Sequence, residues 1–277
     1  MSGIKAERDS MDLKSSRGGL STPVSTLIIF VSLTLTVSSL YYLATVRVGA
    51  QRGDLRFTAA EEKMLELGSS IDSVAWSPSS SEVLSFSNYG GSLRVEPGSR
   101  RLILEATVGT STYTLLNATM GRAVYEMPSS KGSKIGSYLR GDGRTIVNRS
   151  TSIISQIYFT LGDEGEELLV GYRPLVSSST GGLVDGRRIN NIRVYVINLN
   201  ASEELTLSGE FHLGVRCLGV SSSLHTYNVS SVSSVSVAAT LEGVYGSVLV
   251  PIENGPEGAQ IRVEVVICSV RLEEVGV

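Results

Sequence analysis

Between Gly18 and Val46 the chain carries no charged side chain, and the run from Leu20 reads LSTPVSTLIIFVSLTLTVSSLYYLATV. A soluble domain has no place for so long an uncharged run, but a lipid bilayer does. Wound as a helix, its 27 residues span about 40 Å at ~1.5 Å per residue, more than the ~30 Å hydrocarbon core. Thirteen of them are Leu, Ile, Val or Phe, and no charge opposes their insertion. The segment is expected to cross a membrane once, with Pro23 in its first turn, where a missing N–H costs least. Lys5, Arg8, Lys14 and Arg17 precede it and Arg47, Arg52 and Arg56 follow it, so charge alone orients it weakly. The short leader favours an N-in, single-pass topology with roughly 230 residues outside the cell.

Averages over the whole chain hide this segment. The 277 residues carry a net charge of −3 and are 18% charged, below the ~25% usual for soluble domains. With no basic cluster to gather phosphates, nucleic acid is not an expected partner. Serine and threonine total 61 and glycine 29, a composition of turns and polar strand faces rather than of a charged enzyme surface.

Three processing outcomes compete at the N-terminus. Val48-Gly49-Ala50 before Gln51 supplies the small residues a signal peptidase I site needs, but the apolar core is about twice the usual 7–15 residues and Arg47 intrudes. An uncleaved signal anchor is the second outcome. The third rests on Lys14-Ser15-Ser16-Arg17-Gly18-Gly19-Leu20-Ser21-Thr22-Pro23-Val24, a polar leader ending in a basic residue and glycine directly before the apolar helix. This arrangement resembles the class III signal peptide of archaeal type IV pilin-like proteins, a likeness that covers about Lys14 to Trp76. The resemblance implies Arg17 as the recognition residue of a prepilin-type peptidase and Gly18 as the cleavage position, with Gly19 the alternative. It also implies a retained membrane helix, other pilin-like subunits as partners, and a place in a cell-surface filament. The chain departs from bacterial pilins in having Pro23 or Val24 where those carry a glutamate at the fifth mature position.

Within the helix, Ser21, Ser25, Ser32, Thr36 and Ser39 fall in an arc of about 60° at ~100° per residue. A smooth small-residue face of this kind is what helix association in lipid uses, and it points to self-association. Beyond the membrane an apolar seam continues through Val46, Ala50, Gly53, Phe57, Ala60, Met64, Leu67, Ile71 and Val74, at alternating steps of four and three. The helix is therefore expected to run to about Trp76, ahead of Pro78, reaching ~85 Å if continuous. Gly49, Gly53 and Gly68 each weaken it by about 1 kcal/mol, and a bend is expected at Gly49 to Gly53. The seam suits either of two partners, neighbouring subunits or the chain's own head.

The expected organisation is thus a leader at 1–18, a transmembrane helix at 19–47, an amphipathic extension at 48–77 and an extracytoplasmic domain at 78–277. From about Val83 the apolar period switches to two. Short β-rich runs, among them Arg101 to Val108, Glu166 to Tyr172, Ile192 to Leu199, Leu205 to Leu218, Val232 to Leu241, Val244 to Pro251 and Gln260 to Leu272, alternate with Gly, Asn, Asp and Pro turns. The fold class is α+β, a long helix followed by an antiparallel sandwich or barrel-like head. Thr180 to Arg188 is the most loop-like break and the place for a subdivision.

Asparagine sequons stand at Asn117, Asn148, Asn200 and Asn228, about twice the number chance gives, and fit a glycosylated surface domain. Cys217 and Cys268 both lie in late strands. A disulfide between them would close a loop of about 50 residues, worth about 3–4 kcal/mol, while the apolar neighbours Phe211, Leu213 and Val215 equally suit a buried thiol.

No catalytic residue, metal site or cofactor is assigned. His212 and His225 lack metal spacing, and Asp163, Glu164, Glu166 and Glu167 read as a solvated hairpin turn. Nucleophile elbows, phosphate loops and zinc-helix motifs are absent from the sequence. The expected function is therefore non-enzymatic: a membrane-anchored pilin-like surface protein. The alternative is an uncleaved signal-anchored adhesion or binding protein of the envelope.

Overall fold

The computed structural model describes residues 22–128, 133–148, 153–163 and 165–276. The leader, with Arg17, Gly18 and Gly19, and Ser21 of the small-residue face lie outside these. A helix, α1, runs Thr22–Val74, and its hydrogen bonding is uninterrupted through Gly49 and Gly53. It stops two residues before the position at which the sequence places its end. Ala75 still donates to the Ile71 carbonyl at 2.9 Å, and Trp76 then turns to φ +71°, the left-handed conformation that ends helices and that glycine usually supplies. The chain divides into two compact units with the boundary between Gln51 and Arg52.

In the first unit every large apolar side chain from Leu27 to Val48 is at least 45% exposed. Helix periodicity sorts nothing here, because the apolar side chains are exposed on every face. Among its described residues the second unit holds the rest of α1 and fourteen strands. In chain order these are β1 (Ser81–Phe86), β2 (Ser92–Val108), β3 (Ser111–Glu126), β4 (Tyr138–Arg140), β5 (Val147–Asn148), β6 (Ser155–Leu161) and β7 (Glu166–Tyr172). There follow β8 (Leu175–Val184), β9 (Arg187–Asn198), β10 (Leu205–Ser208), β11 (Phe211–Val229), β12 (Ser234–Leu241), β13 (Val244–Pro251) and β14 (Ala259–Glu274).

They form two sheets. One has the order β1-β11-β14-β9-β8-β5 and the other β13-β12-β2-β3-β7-β6-β4, with β10 also on β2. All pairings are antiparallel except β14 with β9 and β5 with β8. The parallel β9–β14 pair runs over eleven residues, Ala259↔Arg188 to Ser269↔Asn198, and joins the last strand to the middle of the chain. Alternation decides which faces meet: Leu93, Val95, Leu102, Leu104, Ala106 and Val108 of β2 are buried, and so are Ile192, Val194 and Val196 of β9. In β14 the buried set changes phase between Val265 and Cys268. Nearby, β11 carries a bulge that leaves Leu218 between Cys217↔Val270 and Gly219↔Ser269, and the extra residue reverses the face that the side chains of β11 itself take on either side of it.

The segment Thr180 to Arg188 does not divide the domain. It is the β8–β9 hairpin, closed at Asp185 and Gly186, which both have positive φ. β8 pairs with β5 only at Leu175 and Val176; its serine-rich stretch beyond them is partnered by β9 alone and exposed along Ser178–Thr180, so it needs no alternation.

Candidate functional site

The seam along the outer half of α1 is the most constrained surface in the second unit. Phe57, Ala60, Met64, Leu67, Ile71 and Val74 are all 4% exposed or less. Their cover is the chain's own β domain, so of the two partners the seam suits, it takes this one. The Phe57 ring stacks on Phe159 of β6 with centroids 5.8 Å apart. Gly68 lets helix and sheet close together, because a Cβ there would lie 2.7 Å from Cδ1 of Ile157, and Tyr172 of β7 donates to its carbonyl at 3.3 Å. Ion pairs flank the seam. Lys134 bonds Glu61 with its ammonium 5.0 Å from the Phe57 ring centre, and Arg140 bonds Asp72 at 2.9 Å. On the other sheet's side Ser70 and Ser73 both donate to Glu82 of β1, which holds that carboxyl below its usual range.

In the membrane segment the predicted small-residue face is present as Ser32, Thr36 and Ser39, exposed, with Ser25 half-buried. The Thr36 hydroxyl donates to the Ser32 carbonyl at 2.8 Å, a bond to its own helix. That face can therefore offer smooth packing, but not every hydroxyl on it is available to a second helix.

Cys217 and Cys268 are both fully buried, with their sulfurs 3.6 Å apart across the β11 bulge and unbonded. The Trp76 N–H lies 3.5 Å from the Cys268 sulfur. Burial pushes the Cys268 thiol up to about 12, so at neutral pH it is protonated and a weak nucleophile. The reduced, native protein is therefore expected to resist alkylation at both cysteines and to take two labels once denatured. Labelling of the native protein at the rate of the denatured one would contradict this.

The four sequon asparagines, Asn117, Asn148, Asn200 and Asn228, are exposed. Asn117 accepts from Arg101 at 3.1 Å and Asn228 from Gln260 at 3.3 Å, and neither contact buries the amide. The residues tested for chemistry disperse. His212 bonds Ser85 at 2.9 Å, Glu166 accepts from the Lys134 backbone N–H at 2.6 Å, and Glu167 pairs with Arg94. Glu164 lies outside the described residues. Among the described residues no three His, Cys, Asp or Glu gather where a metal could sit.

One polar constellation was not legible in the sequence. The outer face of the second sheet carries interlaced charges. Arg122 bonds Glu96 at 2.6 Å and approaches Glu242 at 3.5 Å, Arg100 lies 3.4 Å from Glu242, and Arg94 pairs with Glu167. The register Leu241↔Leu102 sets the β12–β13 turn beside Arg100, with Glu242 at φ +52°. Beside them is a hollow of about 110 Å³ lined by Arg100, Tyr138, Thr145, Gln156, Tyr158 and Glu242. Its only sequence signal is a set of scattered Arg and Glu residues on strands.

No family model, curated protein or solved structure matches the chain.

Proposed function

We propose that this chain is a non-enzymatic, membrane-anchored cell-surface protein of the archaeal type IV pilin-like kind. A prepilin-type peptidase would cut after Gly18 or Gly19, leaving the apolar helix at the new N-terminus. The observation that carries the reading is the contrast along α1: uncharged and exposed from Leu27 to Val46, then seated in a β domain from Phe57 onward. A helix of this design has one free apolar surface. Before assembly lipid covers it, and in a filament other copies of the same helix do, with the β domain facing outward. Because the outer seam is already occupied, contacts between helices fall to the segment before Arg52. The exposed sequons suit a domain facing the outside.

N-terminal sequencing and intact mass of the protein from its native membrane test this. A mature end at Gly19 or Leu20 is the expected result. An intact Met1 would instead favour the uncleaved signal anchor carrying an envelope-binding head, and a start at Gln51 would show the helix to be a removed signal peptide.

A further inference from the structure

Arg100 is only 4% exposed, yet its Nε and Nη1 make no hydrogen bond. A buried guanidinium left this way is costly, and its seat is purpose-shaped. It follows a bulge in β2 where pairing skips from Glu96 to Arg100. It also lies against Gly171 of β7, where a Cβ would stand 2.3 Å from Nη1. Glu242 is near enough to balance its charge but accepts no hydrogen bond from it.

The surroundings restrict what could complete it. Arg94, Arg100 and Arg122 are matched by Glu96, Glu167 and Glu242, so the site offers no net field to an anion. At ~30 Å³ per water the hollow, about 110 Å³, admits roughly four water-sized groups, too few for an oligosaccharide and too polar for a hydrocarbon. The rings of Tyr138 and Tyr158 stand 5.1 Å apart along one wall. Burial raises the Tyr158 phenol, so it stays protonated and able to donate. Gln156 is anchored, its amide N–H groups held by the Asp142 and Arg144 carbonyls at 2.7 and 3.2 Å.

We infer that this hollow binds the edge of one neutral sugar unit. A hydroxyl is the group that can accept from Arg100 and donate to Glu242 at once, and the non-polar face of a sugar ring suits the tyrosine wall. The inference does not depend on how the leader is processed.

The test uses the full-length protein in detergent micelles, with methyl glycosides of glucose, mannose, galactose and N-acetylglucosamine as probes, followed by saturation-transfer NMR. At least one is expected to bind saturably in the millimolar range, and Tyr138→Ala and Glu242→Gln should each weaken it by about tenfold or more. Tyr138 is 40% exposed, so its truncation should leave the thermal midpoint close to that of the parent, and melting both proteins checks this. Three results would overturn the assignment: no saturable signal with any glycoside, unchanged affinity in both variants, or tighter binding of inorganic phosphate or acetate than of every glycoside.

Discussion

A fragment beginning at Arg52 is expected to fold and melt cooperatively, whereas one beginning at Pro78 is expected to aggregate. The difference is the outer half of α1. Burying a side chain such as Phe, Met, Leu, Ile or Val is worth about 1.5–3 kcal/mol. Phe57, Met64, Leu67, Ile71 and Val74, all nearly inaccessible, therefore contribute roughly 8–15 kcal/mol together, as much as the ~5–15 kcal/mol net stability of a typical domain. Removing them also bares Ile157, Phe159 and Tyr172, now under 2% exposed, and an exposed apolar patch of this kind drives association. Circular dichroism melting and size-exclusion profiles of the two fragments check the prediction. Equal midpoints would show that the head is complete without the helix. A milder version in the full chain, Leu67→Ala, should cost about 2–5 kcal/mol.

Arg173→Met is expected to cost about 3–5 kcal/mol, although methionine fills much of the same space. Arg173 follows β7 and is fully buried. Its Nε and Nη2 donate to the Ile153 carbonyl at 3.1 and 2.9 Å, and its Nη1 to the carbonyls of Asp142 and Arg144 at 3.0 and 2.9 Å. Nη1 also bonds the Asp142 carboxylate at 2.6 Å. One side chain thus serves three backbone carbonyls from two loops; methionine would remove both of its bonds to the Ile153 carbonyl and leave Gln156 to serve those of Asp142 and Arg144. Arg144 and then Arg173 hold the Asp142 carboxyl well below the usual carboxylate range. A group with a depressed folded pKa stabilises above its unfolded value near ~3.9 and loses that contribution as pH falls below it. Denaturant midpoints should therefore hold from pH 7 to about 5 and drop as the pH falls below about 4, and Asp142→Asn should flatten that drop. An Arg173→Met protein as stable as the parent would refute the role assigned to this staple.

The apolar helix, the outer seam and most of the strands could be read from the sequence, because each is written in local composition or periodicity. The four-three steps from Phe57 to Val74 and the alternation in β2, β12 and β14 report which face of an element is apolar, and the uncharged run at Leu20–Val46 reports an element that is apolar all round. β8 carries little of this signal because its serine-rich stretch is partnered on one side only and exposed, and β1 because its alternation is limited to Leu84 and Phe86. The run Arg101 to Val108 is the second part of a longer strand, β2, because a bulge at Pro97–Ser99 interrupts the period without ending the pairing.

What covers those faces could not be read, since partner and register are properties of residues far apart in the chain. The sequence alone determined that one segment suits lipid and that a helix with an apolar seam precedes a β-rich head. Only the tertiary structure decided that the seam is seated in its own head, that β14 returns to lie parallel with β9, and that Cys217 meets Cys268. Arg173 shows why. In sequence an arginine reads as a solvated side chain, and this one is buried because carbonyls and a carboxylate from two loops distant in the chain converge on it.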